Sequence, residues 1–310
     1  MEIKSSLPTV TISVLTYNSA KYVIETLDSI KSQSYPNIIL QVCDDCSTDN
    51  TTALCRKWID VNRSRFVKAT IIQPEHNTGV TANCNRAWSH CETDYCKDIA
   101  GDDILLPNCI EDNINYALAH PEALIIFSRL EVLPCKKGAN KAAKKEHEAF
   151  AQSFHYSFFN LNQEEQVEAL KKENPLYAPT AFYKVKKLLA LGLRHDERIP
   201  DIEDYPKWIN ASRMGIHFHF IDIPTIGYRF HEGSISHAAS YSERYQKSLR
   251  LIQQYYDTYS EPKKEVDIKL LCTQLDHLRK KQHKHLIIIR ILTLTSLVLL
   301  LLLFLSIVYR

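Results

Sequence analysis

Two pairs of adjacent aspartates are the residues of this sequence best suited to carry chemistry. Asp44 and Asp45 close one apolar run, and Asp102 and Asp103 close another about sixty residues later. Carboxylates at the ends of two buried strands would deliver oxygen ligands to one edge of an open sheet, where the ligands of such sheets gather. Oxygen ligands of this kind suit a divalent cation that carries phosphate groups. A third acidic group, Asp201, Glu203 and Asp204, crowds one short loop ahead of a helix and could hold a general base. Plainer roles exist for each group. Asp45, Ser47, Thr48 and Asp49 can cap a helix beginning near Thr51, and acidic residues favour helix N-termini in general.

The elements that must position these groups follow from periodicity. Residues 10–16 are β-branched and almost continuously apolar, as expected of a parallel strand covered on both faces. Asn18 and Ser19 offer an N-cap to a helix in which Tyr22, Val23, Thr26, Leu27 and Ile30 share one side. Strands are expected at 38–43, 67–72 and 95–100, with helices at 51–61 and 81–90 between them. This alternation predicts a predominantly parallel sheet with right-handed crossovers, an α/β fold whose first, second and fourth strands empty into one crevice. Further on, a helix is expected at 108–119 and a strand at 123–132. Residues 136–148 are rich in Lys, Ala and Glu and read as a loop or a solvated helix. Residues 175–183 resume ordered structure, followed by helices at 184–191 and 205–214 and a strand at 217–221. Helices at 242–259 and 265–285 then lead to the C-terminal segment.

Composition narrows the class. The chain has 310 residues, 45% hydrophobic and 24% charged, enough for one large core. A formal charge of +2 without a basic, aromatic-rich stripe argues against nucleic-acid binding. Nine scattered cysteines favour a reducing compartment and free thiols. Cys43 and Cys46 form a CxxC with Cys91 and Cys96 further on, so zinc enters consideration, but the second pair is too widely spaced for a ribbon. Residues 1–9 lack the apolar core of a secretory signal. Residues 291–309 carry no charge, and nineteen helical residues span about 28 Å, close to a bilayer core. Arg279, Lys280, Lys281 and Lys284 precede this stretch and only Arg310 follows it. The expectation is a catalytic domain at 1–240, a helical juxtamembrane region at 241–285 and a single-pass anchor at 286–310, with the domain on the cytoplasmic side of the cell inner or cytoplasmic membrane.

Several motifs together resemble one family. Residues 10–18, the run from Asp44 to Thr51, Asn77-Thr78-Gly79, Gly101-Asp102-Asp103, Glu203-Asp204 and Tyr228-Arg229 occur in the order seen in family 2 inverting glycosyltransferases. The resemblance covers about residues 7–237. It implies a GT-A fold, a nucleotide-sugar donor and Mg²⁺ or Mn²⁺. It further implies that Thr16, Asn18, Asp44, Asp45, Asn77, Gly79, Asn83, Arg86, Asp102 and Arg229 bind the donor. Asp102 would be the main metal ligand, with Asp103 as second ligand or support and His231 able to reach phosphate or metal. Asp204 would be the base, Glu203 its orienting neighbour or an acceptor contact, and Asp201 a rival base. Ser234 and Ser236 would serve the loop after Gly233. Three positions depart from the pattern. Ala100 stands where an Asp is common, Cys46 where glycine is common, and the spacing of Asn83 and Arg86 differs from the usual Arg-Asn pair. Glycine tolerates backbone shapes that cysteine does not.

The resulting expectation is sugar transfer with inversion from a UDP-linked donor to a lipid-linked or cell-surface glycan acceptor. Two rivals stand beside it: transfer to polyprenyl phosphate, and a catalytically silent scaffold that binds nucleotide sugars.

Overall fold

The computed structural model describes residues 7–134, 141–230 and 246–252. Its centre is an eight-stranded sheet whose first strand, β1 (Val10–Thr16), has almost every residue buried. Helix α1 (Val23–Lys31) buries Val23, Thr26, Leu27 and Ile30 and leads to β2 (Ile38–Asp44). Next come α2 (Thr51–Asn62), β3 (Lys68–Ile72), α3 (Val80–Ser89) and β4 (Tyr95–Ala100). The chain continues through β5 (Ile104–Leu105), α4 (Cys109–Ala119), β6 (Ile125–Val132), α5 (Lys141–Gln152) and α6 (Gln163–Leu170). It closes with β7 (Phe182–Tyr183), α7 (Val185–Ala190), α8 (Tyr205–Arg213) and β8 (Phe218–Tyr228).

The strand order is β3-β2-β1-β4-β7-β6-β8-β5. Strand β1 pairs in parallel with β2 on one side and β4 on the other, so the chain reverses its direction of travel at β1. That switch point opens a crevice beyond the carboxyl ends of β1, β2 and β4, where the two aspartate pairs lie. The expectation of a mostly parallel sheet holds only for this half. Strand β7 runs antiparallel to both β4 and β6, and β5 antiparallel to β8, while β6 and β8 are parallel. The sheet is therefore mixed.

Ile12, Val14, Leu40, Val42 and Ile99 are at most 1% exposed and form the core beneath the crevice with Leu27 and Ile30. Each such side chain stabilises the fold by about 1.5–3 kcal/mol. A polar strut crosses the same layer: Gln41 Nε2 donates to Ala87 O at 2.9 Å and holds α3 against the sheet.

Several boundaries differ from the sequence expectation. Strand β8 runs seven residues beyond the expected end at 221, although Asp222 and Pro224 interrupt its apolar pattern. Its partner β6 absorbs the irregularity in register shifts around Arg129. The 136–148 segment contributes α5, whose Phe150 packs against Tyr228 and Phe230 at the end of β8. Helix α6 begins at a capping box in which Asn162 and Glu165 serve each other's backbone N–H groups. The helices expected at 242–259 and 265–285, apart from residues 246–252, and the apolar stretch at 286–310 lie outside the described residues. Among the described residues no helix is long and apolar enough to cross a membrane.

Candidate active site

At the end of β2, Asp44 is fully buried. Its Oδ1 accepts from Thr16 Oγ1 at 2.8 Å and Ser47 Oγ at 2.5 Å. Its Oδ2 accepts from Ser47 N, Thr52 Oγ1 and Gln73 Nε2. Five donors saturate this carboxylate, so Asp44 and Thr16, both expected to touch the donor, instead knit the ends of β1 and β2 together. Asn18 also departs from expectation. It does not cap α1; it takes a left-handed φ of 52°, and its Oδ1 accepts from the backbone N–H of Thr48 and Asp49. Cys46 has φ 62°, the backbone region where glycine carries no Cβ penalty. The turn thus keeps a glycine-like shape despite the side chain.

Asp45 builds the next part of the site. Its side chain is 3% exposed and pairs with Arg86 Nη1 at 3.4 Å. It also accepts from Thr78 Oγ1 at 2.6 Å, Gly79 N at 2.7 Å and Thr78 N. The carboxylate therefore sits at the positive end of α3, where negative charge is stabilised. Gly79, with φ 91°, makes the entry turn. Asn83 does not face the crevice: it is 3% exposed, donates to Cys43 O and accepts from Arg86 Nη1. Asn77 is exposed and donates to Asp45 O. Of Asn77, Asn83 and Arg86, Asn77 and Arg86 keep surface. Both line an open cleft of about 700 Å³ on the flank of α3, together with His76, Arg194 and Glu197. Asp102 and Asp204 are not among its walls.

The end of β4 approaches β1 closely. Gly101 N donates to Leu15 O, and a Cβ on Gly101 would stand 2.7 Å from Thr16 Cγ2, so the turn that presents Asp102 needs glycine. Asp103 is 2% exposed and accepts from Arg229 N at 2.8 Å. Burial, and then the charge of Asp102, pushes its carboxyl well above the usual range, against the pull of the Arg229 N–H and guanidinium. The Arg229 side chain donates to Asp102 O at 2.7 Å and to Glu25 Oε2 at 2.6 Å, and its guanidinium lies 4.7 Å from the Tyr22 ring centroid. Arg229 thus ties the end of β8 to the aspartate turn, and Asp103 braces that turn from below. Asp102 keeps an exposed face.

Among the described residues no three His, Cys, Asp or Glu side chains form a metal cage. The seven described cysteines, Cys43, Cys91 and Cys96 among them, are free. A cation held by one carboxylate and by substrate phosphates needs no such cage, and Mg²⁺ is commonly bound that way. Asp102, a hard oxygen donor with surface, fits that role. His231, Gly233, Ser234 and Ser236 lie outside the described residues.

The third acidic group stands on α3. Thr81 N and Oγ1 donate to Pro200 O and Ile199 O, the latter at 2.8 Å, and so fix the loop that carries Asp201, Glu203 and Asp204. Asp204 occupies the N-cap position of α8, yet its side chain makes no capping bond; its Oδ2 accepts from Asn174 Nδ2 at 2.8 Å. Ser248 Oγ donates to Asp201 Oδ2 at 3.5 Å. Glu203 retains an exposed edge, but burial and then the Asp204 charge push its carboxyl up from 4.5 to about 7. A carboxyl raised in the folded state favours folding while protonated. That contribution is complete below about pH 4.5 and is lost as pH rises through 7. Glu203→Gln is expected to flatten the stability profile across this window by about 3 kcal/mol, read from urea unfolding of both proteins at the two ends.

Beneath this loop lies a polar layer that the sequence reading missed. Lys207, His195 and Asp98 surround the buried indole of Trp88, whose Nε1 donates to Asp98 Oδ2 at 2.7 Å. The available signal was a lysine directly before Trp208 and Ile209, four residues after Glu203. Tyr17, 50% exposed at the end of β1, is a second residue the motifs did not single out.

Comparison with known proteins joins these observations. The model of glycosyl transferase family 2 matches residues 11–188, more than half of the chain. A Haemophilus influenzae protein described as an uncharacterized glycosyltransferase is 24% identical over 265 residues, covering 85% of this chain and 78% of that one. Chondroitin synthase of Escherichia coli is 28% identical over 106 residues, 34% of this chain and 15% of that protein. Among solved structures, S. aureus TarS 1–349 in complex with UDP-GlcNAc matches with a TM-score of 0.59 at 20% identity, covering 80% of this chain and 69% of that chain. The mannosyltransferase PcManGT from Pyrobaculum calidifontis, in complex with GDP-Man and Mn²⁺, matches with a TM-score of 0.52 at 17% identity, covering 82% and 70%. The fold is thus GT-A-like. With the match spanning both aspartate turns, the chain belongs to glycosyltransferase family 2 and is a glycosyltransferase.

Proposed function

We propose that this enzyme transfers one sugar, with inversion, from a UDP-linked donor to a lipid-linked or cell-surface polysaccharide acceptor at the cytoplasmic face of a membrane. The observation that carries the reading is the partly exposed Asp204 on a loop anchored to α3, the same helix whose start is organised by Asp45. Asp204 takes the proton of the acceptor hydroxyl on the face opposite the leaving nucleoside diphosphate. Asp102 holds Mg²⁺ or Mn²⁺, which when bound offsets the charge of the diphosphate. Asn77, Arg86 and the exposed ring of Tyr17 contact the donor, and Arg229 keeps the Asp102 turn in place. TarS bound to UDP-GlcNAc supports a UDP-linked N-acetylhexosamine as the first donor to try, and PcManGT bound to Mn²⁺ supports the metal.

The membrane reading rests on the uncharged stretch at 291–309 and the basic cluster before it. On this reading residues 1–240 form the catalytic domain, 241–285 the juxtamembrane region and 286–310 the anchor. A protein of these 310 residues is expected to sediment with membranes and to resist carbonate extraction; release by carbonate would overturn that part alone.

Hydrolysis of UDP-GlcNAc, and of a panel of other UDP-sugars, with Mn²⁺ tests the chemistry. Asp102→Asn is expected to lower the rate by about 100-fold or more and to abolish its dependence on Mn²⁺, since several kcal/mol of charge stabilisation are lost. Equal rates in wild type and variant would contradict the assignment of Asp102, and inertness of both toward every donor would favour a silent scaffold.

A further inference from the structure

Asp204 stands at the N-cap of α8, where an aspartate ordinarily accepts from a backbone N–H of the first helical turn. It does not do so here. Its backbone takes φ −91° and ψ −54°, in the helical and not the extended region, and Pro206 in the first turn has no N–H to offer. Instead its Oδ2 accepts from Asn174 Nδ2 at 2.8 Å, on a loop 30 residues earlier in the chain.

Asn174 is held in a defined sense. Its Oδ1 accepts from Leu176 N at 3.2 Å, an Asx turn closed around Pro175, and Leu176 is buried. With Oδ1 engaged by a backbone N–H, the group that faces Asp204 is the amide nitrogen, which donates. The first turn of α8 is fixed on both sides as well. Tyr205 Oη donates to Leu170 O at 2.8 Å, at the root of the loop that carries Asn174. Lys207 Nζ donates to Tyr183 Oη of β7 at 3.1 Å and meets His195 Nε2 at 2.9 Å. With the backbone set in this way, the freedom left to the carboxylate is rotation of its own side chain, and the Asn174 amide opposes that rotation.

A general base needs an oxygen aimed at the acceptor hydroxyl within hydrogen-bond reach. A carboxylate turned down to cap α8 would have its oxygens on backbone N–H groups. We propose, resting on the reading of Asp204 as the base, that Asn174 is a positioning residue which holds Oδ2, keeps the carboxylate off the helix end and presents Oδ1 to the acceptor hydroxyl. As the hydroxyl proton moves to Oδ1, the acceptor oxygen bonds the anomeric carbon, and the bond to the diphosphate breaks with its electron pair. The amide stays in place throughout, so the orientation is set before the reaction begins.

Asn174→Asp tests this, because the new side chain matches the old in shape, still accepts from Leu176 N and, as a carboxylate, cannot donate to Asp204. Asn174→Ala is the second variant; at an exposed position both are expected to melt close to wild type. The assay is hydrolysis by the full-length protein, with Mn²⁺, of UDP-GlcNAc or whichever UDP-sugar the panel selects, water standing in as acceptor. Each variant is expected to lower kcat by about 10- to 100-fold, the scale of a misplaced reacting group, with KM for the donor unchanged. A cycle with Asp204→Asn separates positioning from general support. Asn174→Asp joined to Asp204→Asn exchanges donor and acceptor across the same hydrogen bond, so the double variant should fold and be no slower than Asp204→Asn alone. Unchanged kcat in a folded Asn174 variant overturns the proposal. So does an equal further loss of kcat in the Asp204→Asn background, which would show an effect that bypasses the base. The reading beneath is judged separately. Asp204→Asn as fast as wild type defeats the base itself, whereas a slow Asp204→Asn beside a fast Asn174→Asp defeats the role of Asn174 alone.

Discussion

Asp204→Asn is expected to slow sugar transfer by about 10²–10⁴-fold, the usual contribution of a general base, while the affinity for the donor stays close to that of wild type. The split between rate and affinity follows from the position of the residue. Asp204 makes no capping bond to α8, so the amide removes no support from the helix. Its hydrogen-bond partner Asn174 Nδ2 can still donate to an amide oxygen. The variant should therefore fold, bind the nucleotide sugar and lack only the group that accepts the acceptor's proton. Rates measured beside donor affinity by calorimetry check this. A loss of only twofold, or a loss of affinity matching the loss of rate, would remove Asp204 from the role. Asp201→Asn is the natural companion, since Asp201 shares the loop and Ser248 approaches its carboxylate.

Asp45→Ala is expected to cost about 3–5 kcal/mol of stability, because it leaves a largely buried Arg86 without its carboxylate. The same change strips acceptors from Thr78 N, Thr78 Oγ1 and Gly79 N at the start of α3. Arg86→Met should cost clearly less, since those three donors still satisfy the carboxylate. Urea unfolding of both single variants and the double variant yields the coupling between them. Near-zero coupling would mean that the pair is incidental. Because α3 also carries the loop of Asp204 through Thr81, the damage should reach activity as well as stability.

The parts of the fold that sequence alone made legible are those with continuous apolarity. The bounds 10–16 and 95–100 coincide with β1 and β4, since strands covered on both faces advertise themselves. The mixed half of the sheet was not legible, because β5 and β7 are two residues long and have no period to read. Strand β8 was cut short at Asp222, an exposed residue that the irregular ladder leaves without a register partner and whose side chain forms an ion pair with Arg129 of β6. The capping box of Asn162 and Glu165 was present in the sequence and overlooked.

In the candidate site, the motifs marked the turns without revealing which side chains face outward. Asp44 and Asp45 are neighbours of the same type, yet one joins β1 to β2 and the other anchors α3. That difference depends on which donors surround each carboxylate. Cys46 looked like a blemish in a glycine position, and the backbone keeps the glycine conformation there. Lys207 and His195 were invisible because their meaning comes from contact across α8, α3 and β7, more than any single spacing encodes.

The most direct test of inverting transfer at this site is proton NMR of the first sugar formed from UDP-α-GlcNAc, or from whichever UDP-sugar the panel selects, before mutarotation equilibrates the anomers. The expected result is initial release of the opposite anomer by wild type, with its formation lost in Asp204→Asn and Asp102→Asn. Initial release of the same anomer as the donor, or an unchanged rate in Asp204→Asn, would contradict it.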